Sequence, residues 1–265
     1  MRKLKIAIIV FGLVFLAGLM LANFLRRIYV VPILAYHSIN PVENPRIERL
    51  IVPPEVFERQ MRFLKEHRYN VMPLEALADL IRAKKRIPGR TCAITFDDGY
   101  KDNYTYAFPI LKKYNLPATM FVIINEVGRT QNDRLSWDEL KAMQASGIIT
   151  IGSHALGPEP LINIKSKADL KSQIFDSKKI LEARLARPVN MFCYPEGRFN
   201  EEIRQLVVDA GYKLAAATSP GSNFSKDDVF LLKRLRISRN CNNLFIFWFK
   251  LSGYYTFFKE RRHGR

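Results

Sequence analysis

The apolar positions of this chain fall into three patterns. From Ile6 to Leu25 they are almost continuous, IAIIVFGLVFLAGLMLANFL, close to the length that crosses a hydrocarbon core as a helix. Elsewhere they recur at helical spacing: Phe57, Met61 and Leu64 after Pro54; Leu74, Leu77 and Ile81 before about Ala83; and Leu170, Ile174, Ile180 and Leu181 within about Lys167 to Ala186. Between the helices lie short apolar runs that read as buried strands: 29–36, 92–94, 118–124, 148–152, 189–194, 214–217 and 230–237. Polar residues punctuate these runs. Ser136-x-x-Glu139 is a capping box opening a helix that Gly147 ends, and Asn200 caps another that Gly211 ends. Pro109 imposes a late start or kink on a helix over 103–114, residues 40–53 read as a loop, and 84–90 as a basic turn around Pro88-Gly89.

Strand–helix alternation of this kind predicts an α/β fold with a parallel sheet and outer helices, either a barrel or an open sheet. In both, ligands gather at the carboxyl ends of the strands. Several chemically loaded residues fall at such ends: His37, the pair Asp97-Asp98, His154, and the Pro195-Glu196-Gly197 turn. The aspartate pair carries most meaning. Successive strand residues point to opposite faces, so both carboxylates reach one site only if the chain turns, which Gly99 permits. Two carboxylates in a buried site need a cation or a shared proton. A divalent metal on one, with the other free for acid–base work, meets that need; the alternative is an Asp-Gly turn with a spare charge.

Composition adds less. The 265 residues suit one barrel-sized body with an appendage, and 48% apolar residues exclude a disordered chain. A net charge of +17 fits a solvated basic surface, or attraction to anionic lipid or an anionic polymer. With no nucleic-acid motif and an apolar segment ahead of the body, nucleic acid is not an expected partner. Arg2, Lys3 and Lys5 precede that segment and Arg26 and Arg27 follow it, which favours an inside amino terminus and an exported body. Met20-Leu21-Ala22 is a poor cleavage pattern, so an uncleaved anchor over 1–27 is preferred to a signal peptide. Cys92, Cys193 and Cys241 show no metal-type spacing, and the first two read as small core residues.

Thr95-Phe96-Asp97-Asp98-Gly99-Tyr100, Gly152-Ser153-His154 and Tyr194-Pro195-Glu196-Gly197, with Ala35-Tyr36-His37-Ser38 ahead of them, together resemble the motifs of the polysaccharide deacetylase family, the NodB-homology or carbohydrate esterase 4 type. The resemblance covers about residues 31–240. It implies a distorted (β/α) barrel; with the apolar segment read as one transmembrane helix within 1–27, the barrel takes 28–240 and an aromatic and basic tail takes 241–265. It implies one divalent metal, usually zinc, with Asp98 and His154 as ligands, Asp97 as general base, and the backbone N–H of Glu196 as oxyanion donor. The expected reaction is hydrolysis of N-acetyl groups on a cell-envelope or extracellular polysaccharide or a lipid-linked glycan. Two other readings stay open: a relative that binds glycan without turnover, and an esterase acting on O-acetyl groups.

The sequence also departs from the family pattern. Where a second histidine normally follows the first by four or five residues stand Pro158 and Glu159. Either Glu159 replaces the imidazole, which would favour harder ions such as manganese, iron or magnesium, or it is a charged loop residue. The late leaving-group histidine is missing. His37 could supply a proton or orient Asp97, or be structural; His67 reads as solvent-facing. The third-motif arginine is absent too, leaving Arg234 or Arg236 to fix Asp97 or to lie on the surface. The aromatic stretch 244–249 is either a membrane-interface element or a last helix packed on the core.

Overall fold

Eight parallel strands form a nearly closed ring in the computed structural model, which describes residues 2–41, 50–218, 227–257 and 259. In chain order the ring strands are β1 (Ile33–Tyr36), β5 (Thr91–Phe96), β6 (Ala118–Val122), β7 (Ile149–Ser153), β8 (Met191–Cys193), β9 (Leu214–Ala217), β10 (Leu232–Lys233) and β11 (Leu235–Arg236). Short β2 (Ser38–Ile39) and β3 (Ile51–Val52) pair with each other, and β4 (Asn70–Val71) pairs with β5. The ring follows chain order up to its seam: β10 pairs with β9 while β11 pairs with β1. The segment expected as one strand over 230–237 is therefore two, broken at Arg234, because its two halves serve opposite edges of the closing seam. Strands β2, β3 and β4 lie outside the apolar runs singled out in the sequence, and residues 42–49 of the expected loop lie outside the described residues.

Alternation along the strands sorts the core into two layers. Ile33, Ala93, Phe121, Met191, Cys193 and Ala216 pack together in the barrel lumen with Leu74 and Leu77 of α3 (Leu74–Arg82). Their neighbours Leu34, Ile94, Met120, Phe192 and Ala215 face the surrounding helices. Helix α2 (Pro54–Glu66) buries Phe57, Met61 and Leu64 as its spacing demands. A π-helical turn over Asn103–Ala107 precedes α4 (Phe108–Tyr114), the irregular start that Pro109 imposes. Ser136 and Glu139 close the capping box of α5 (Trp137–Ala145). Helix α6 spans Lys167–Leu185, and the Asn200 side chain caps α7 (Glu201–Asp209).

Helix α1 (Arg2–Ile28) carries an apolar stretch, Ile9–Arg26, of mean hydropathy 2.1 with none of it buried. Length and composition suit either a membrane span or a signal sequence. The chain after α8 (Leu244–Leu251) returns to the base of this helix: Val30 N–H donates to Gly253 O, and the Phe24 and Phe257 rings meet edge to face. Helix α8 itself packs on the body, with Phe247 buried against Phe63, while Phe245 and Trp248 face outward.

Candidate active site

At the end of β5 the ladder runs one residue past the strand, since Asp97 N–H donates to Tyr36 O at 2.9 Å. Ala93, Thr95 and Asp97 thus share the lumen side, and Asp97 is the uppermost of the three. The next residue would point outward in an extended chain. Instead Asp98 adopts φ 69° and Gly99 φ 68°, two successive left-handed residues that fold the chain back so that Asp98 also lines the cavity. Left-handed backbone at a non-glycine residue costs free energy and concentrates at functional sites. A Cβ on Gly99 would come within 3.1 Å of Val122 Cγ1, so the turn is also tightly packed.

Asp97 is gripped by Arg234, the residue at the seam. Nη1 donates to Oδ1 at 2.6 Å and Nη2 to Oδ2 at 2.7 Å, and Nη1 also donates to Thr95 Oγ1 at 3.1 Å. Arg234 is only 1% exposed, so the two charges are buried as a bidentate pair. Burial alone would raise the Asp97 pKa, but the charge and hydrogen bonds of Arg234, with His154 and His37 nearby, outweigh it and hold the carboxyl well below the usual range. Of the two arginines left open by the sequence, Arg234 fixes Asp97, whereas Arg236 is exposed on the cavity wall. The Cys193 thiol lies 3.0 Å from Arg234 Nη2, and burial pushes its pKa well up. Read from sequence as a small core residue, Cys193 is fully buried and also packs against the Asp97–Arg234 pair.

His154 follows β7 and is oriented by its backbone neighbour: Nδ1 donates to Cys193 O at 2.8 Å. That bond leaves Nε2 to face Asp98, whose Oδ1 is 3.5 Å away. A histidine tethered through one nitrogen, with a carboxylate facing the other, is the donor arrangement of a divalent metal site. Asp97, His154 and Cys193 also bring potential donor atoms within 4.8 Å of one another. In that trio Asp97 is committed to Arg234 and the thiol is disfavoured as a thiolate, so Asp98 with His154 is the better-suited pair. Pro158 lines the cavity next to them, while Glu159 is exposed and lies off the cavity wall.

The remaining wall comes from two other strand ends and from the loop between β6 and α5. His37, after β1, places Nε2 3.9 Å from Asp97 Oδ2; burial lowers its pKa, only partly offset by Asp97 and Asp98. Asp102 anchors this loop: it accepts from Ser38 Oγ at 2.5 Å and Ile39 N–H at 3.1 Å. After β8, Pro195–Gly197 forms a single 3-10 turn in which Glu196 has φ 55°. As an early residue of that turn, Glu196 has no intrahelical acceptor for its N–H. Gly197 makes the turn fit, since a Cβ there would meet Thr218 N at 2.6 Å. Arg134 completes the rim, its guanidinium 4.0 Å above the Tyr100 ring. The cavity they enclose measures about 450 Å³. Asp102, Cys193 and Arg134 were not singled out for the site in the sequence. Asp102, three residues beyond Gly99, was the most accessible of them, being an acidic residue in a loop already marked as functional.

Residues 84–215 match the family described as polysaccharide deacetylase. The Bacillus subtilis (strain 168) protein YxkH, named for the same family, is 35% identical over 210 residues, covering 78% of this chain and 71% of its own. A poly-beta-1,6-N-acetyl-D-glucosamine N-deacetylase of Staphylococcus aureus (strain MRSA252) is 31% identical over 215 residues, 72% of this chain and 74% of that one. Among solved structures, Streptococcus pyogenes deacetylase PplD in complex with acetate superposes with a TM-score of 0.70 at 28% identity, covering 80% of this chain and 93% of PplD.

Proposed function

This chain belongs to the polysaccharide deacetylase family, hydrolases of carbon–nitrogen bonds, and we propose from that premise that it removes acetyl groups from N-acetylated sugars of a cell-envelope or extracellular glycan. The observation that carries the reading is the Asp98–His154 pair at 3.5 Å beside an ionised, arginine-clamped Asp97. A divalent cation held by Asp98 and His154, zinc being our first expectation, would polarise the acetamide carbonyl and acidify water at the site. Asp97 then accepts a proton as water adds to the carbonyl carbon. The backbone N–H of Glu196 stabilises the developing oxyanion, an interaction that does not depend on the glutamate side chain. As the carbon–nitrogen bond breaks, the departing amine takes a proton and acetate is left. His37, 3.9 Å from Asp97, is placed to pass that proton through one water or a small movement.

Helix α1 anchors this body to the membrane in our reading. It ends five residues before β1 and so meets the barrel at the amino ends of the strands. The cavity lies at the opposite ends, facing away from the bilayer toward an extracytoplasmic glycan. One observation favours a second reading: Pro158 stands on the cavity wall where a third donor would be useful, which suits a relative that binds glycan without turnover.

Metal content and acetate release, measured together on the full-length protein, separate the two. The expected result is one divalent ion per chain and acetate released from N-acetylglucosamine oligomers, both lost in Asp98→Asn and in His154→Ala. A bound ion with no acetate from any N-acetylated oligomer would support the second reading. Retention of the ion by both variants would overturn the ligand assignment.

A further inference from the structure

The amino ends of the strands carry a second cavity, of about 410 Å³, on the side of the barrel where α1 arrives. Its lining includes four cations, Arg26, Lys85, Arg86 and Lys233, and one acid, Asp227; the rest is apolar apart from the Tyr29 hydroxyl. The cations come from three separate parts of the chain: the end of α1, the basic turn after α3, and β10. Lys233 is buried, 9% exposed, while Lys85 and Arg86 are exposed at the rim. Nothing in the deacetylase chemistry uses this end of the barrel. A cleft with apolar walls and a cationic rim complements a ligand with an anionic head and an apolar body.

We propose that this cleft binds the phosphodiester headgroup of an anionic glycerolipid of the leaflet from which the barrel emerges. The inference rests on the reading of α1 as a membrane anchor. If α1 spans the bilayer, Arg26 lies at the end of its apolar stretch, and the cleft that Arg26 lines meets the headgroup layer directly. Juxtamembrane lysines and arginines attract anionic lipids, and a cleft converts that diffuse attraction into one ordered site. Occupancy would hold the barrel upright on its anchor, keeping the catalytic cavity at the far end open toward the glycan.

The test uses the full-length chain in nanodiscs of phosphatidylcholine, with and without phosphatidylglycerol, followed by release into detergent and native mass spectrometry. We expect one phosphatidylglycerol retained per chain in preference to phosphatidylcholine. Lys85→Gln/Arg86→Gln should weaken retention about thirtyfold, the effect of removing two cations near the surface, without changing acetate release. The charge-matched control Lys141→Gln/Lys179→Gln, on the outer helices, should retain the lipid like the parent. Equal retention in both double variants, or equal retention of the two lipids, would overturn the proposal. Displacement of the lipid by inorganic phosphate at matching concentration would overturn the lipid as the source of the phosphate group. Incorporation into phosphatidylcholine-only discs reports on the anchor alone: a chain that stays outside them refutes the anchor, whereas one that enters but retains no phosphatidylglycerol refutes only the headgroup site.

Discussion

The charged groups on which the two readings rest are handled in opposite ways at the two ends of the barrel. At the carboxyl ends of the strands, the groups assigned to the reaction are buried and tied to partners at short range: Asp97 to Arg234 at 2.6 and 2.7 Å, and His154 to a backbone carbonyl at 2.8 Å. At the amino ends, Lys85 and Arg86 stand exposed at the rim of a cleft. A reaction needs each charge at a fixed place before substrate arrives, which burial and compensating partners provide. A contact with lipid needs only the right sign near the surface. Substitutions should therefore damage the fold at one end and leave it intact at the other.

The largest effect is expected from splitting the buried pair. Arg234→Met leaves the Asp97 carboxylate without its partner, and should cost about 3–5 kcal/mol in urea denaturation. Asp97→Asn/Arg234→Met should recover much of that loss while releasing no acetate, because the proton acceptor is gone. A single-variant cost indistinguishable from that of a surface change would show that the clamp is not a buried ion pair in solution. The pair also has a pH signature. The folded Asp97 pKa lies below that of the unfolded carboxyl, so the unfolded chain binds the proton first. The stabilisation is complete above about pH 5 and is lost as pH falls from there. Arg234→Met should flatten that acid limb of the stability profile.

A smaller effect is expected where the backbone alone is strained. Gly197 has φ 71° and lies against Thr218, so Gly197→Ala must both adopt left-handed backbone and displace a neighbour. The expected cost is about 1–3 kcal/mol, with acetate release falling further than stability because the Glu196 N–H moves with the turn. A variant that loses stability but keeps the parent's turnover per folded molecule would remove Glu196 from the oxyanion role.

What the sequence made legible follows the same division between local and closing interactions. Helix α2, the Ser136–Glu139 box and the Asn200 cap depend on residues within one or two turns, and their patterns predict them. The Asp97-Asp98-Gly99 turn was readable for the same reason: three adjacent residues carry the whole device. Arg234 was not. Phe230 to Ile237 reads as one continuous strand, and only closure of the ring between β9 and β1 breaks it and drives an arginine into the lumen. Cys193 looks like an ordinary small core residue until Arg234 arrives from 41 positions away.

The finest comparison sets Pro158 against Glu159, adjacent residues on opposite sides of the cavity boundary. Glu159 attracted attention because its spacing from His154 matches a ligand position, but spacing fixes a side chain's direction only inside a regular element. Beyond β7 the chain is loop: Ala155 takes φ 66°, Pro158 faces the cavity and Glu159 faces solvent. Pro158→His would put an imidazole on the wall beside Asp98 and His154, and should tighten the divalent ion in a calorimetric titration. Glu159→Ala should change that affinity least of all the variants discussed, since its carboxylate reaches the site only if the loop rearranges when the ion binds. If Glu159→Ala weakens the ion as severely as His154→Ala, the loop does rearrange and the boundary drawn here between the two residues is wrong.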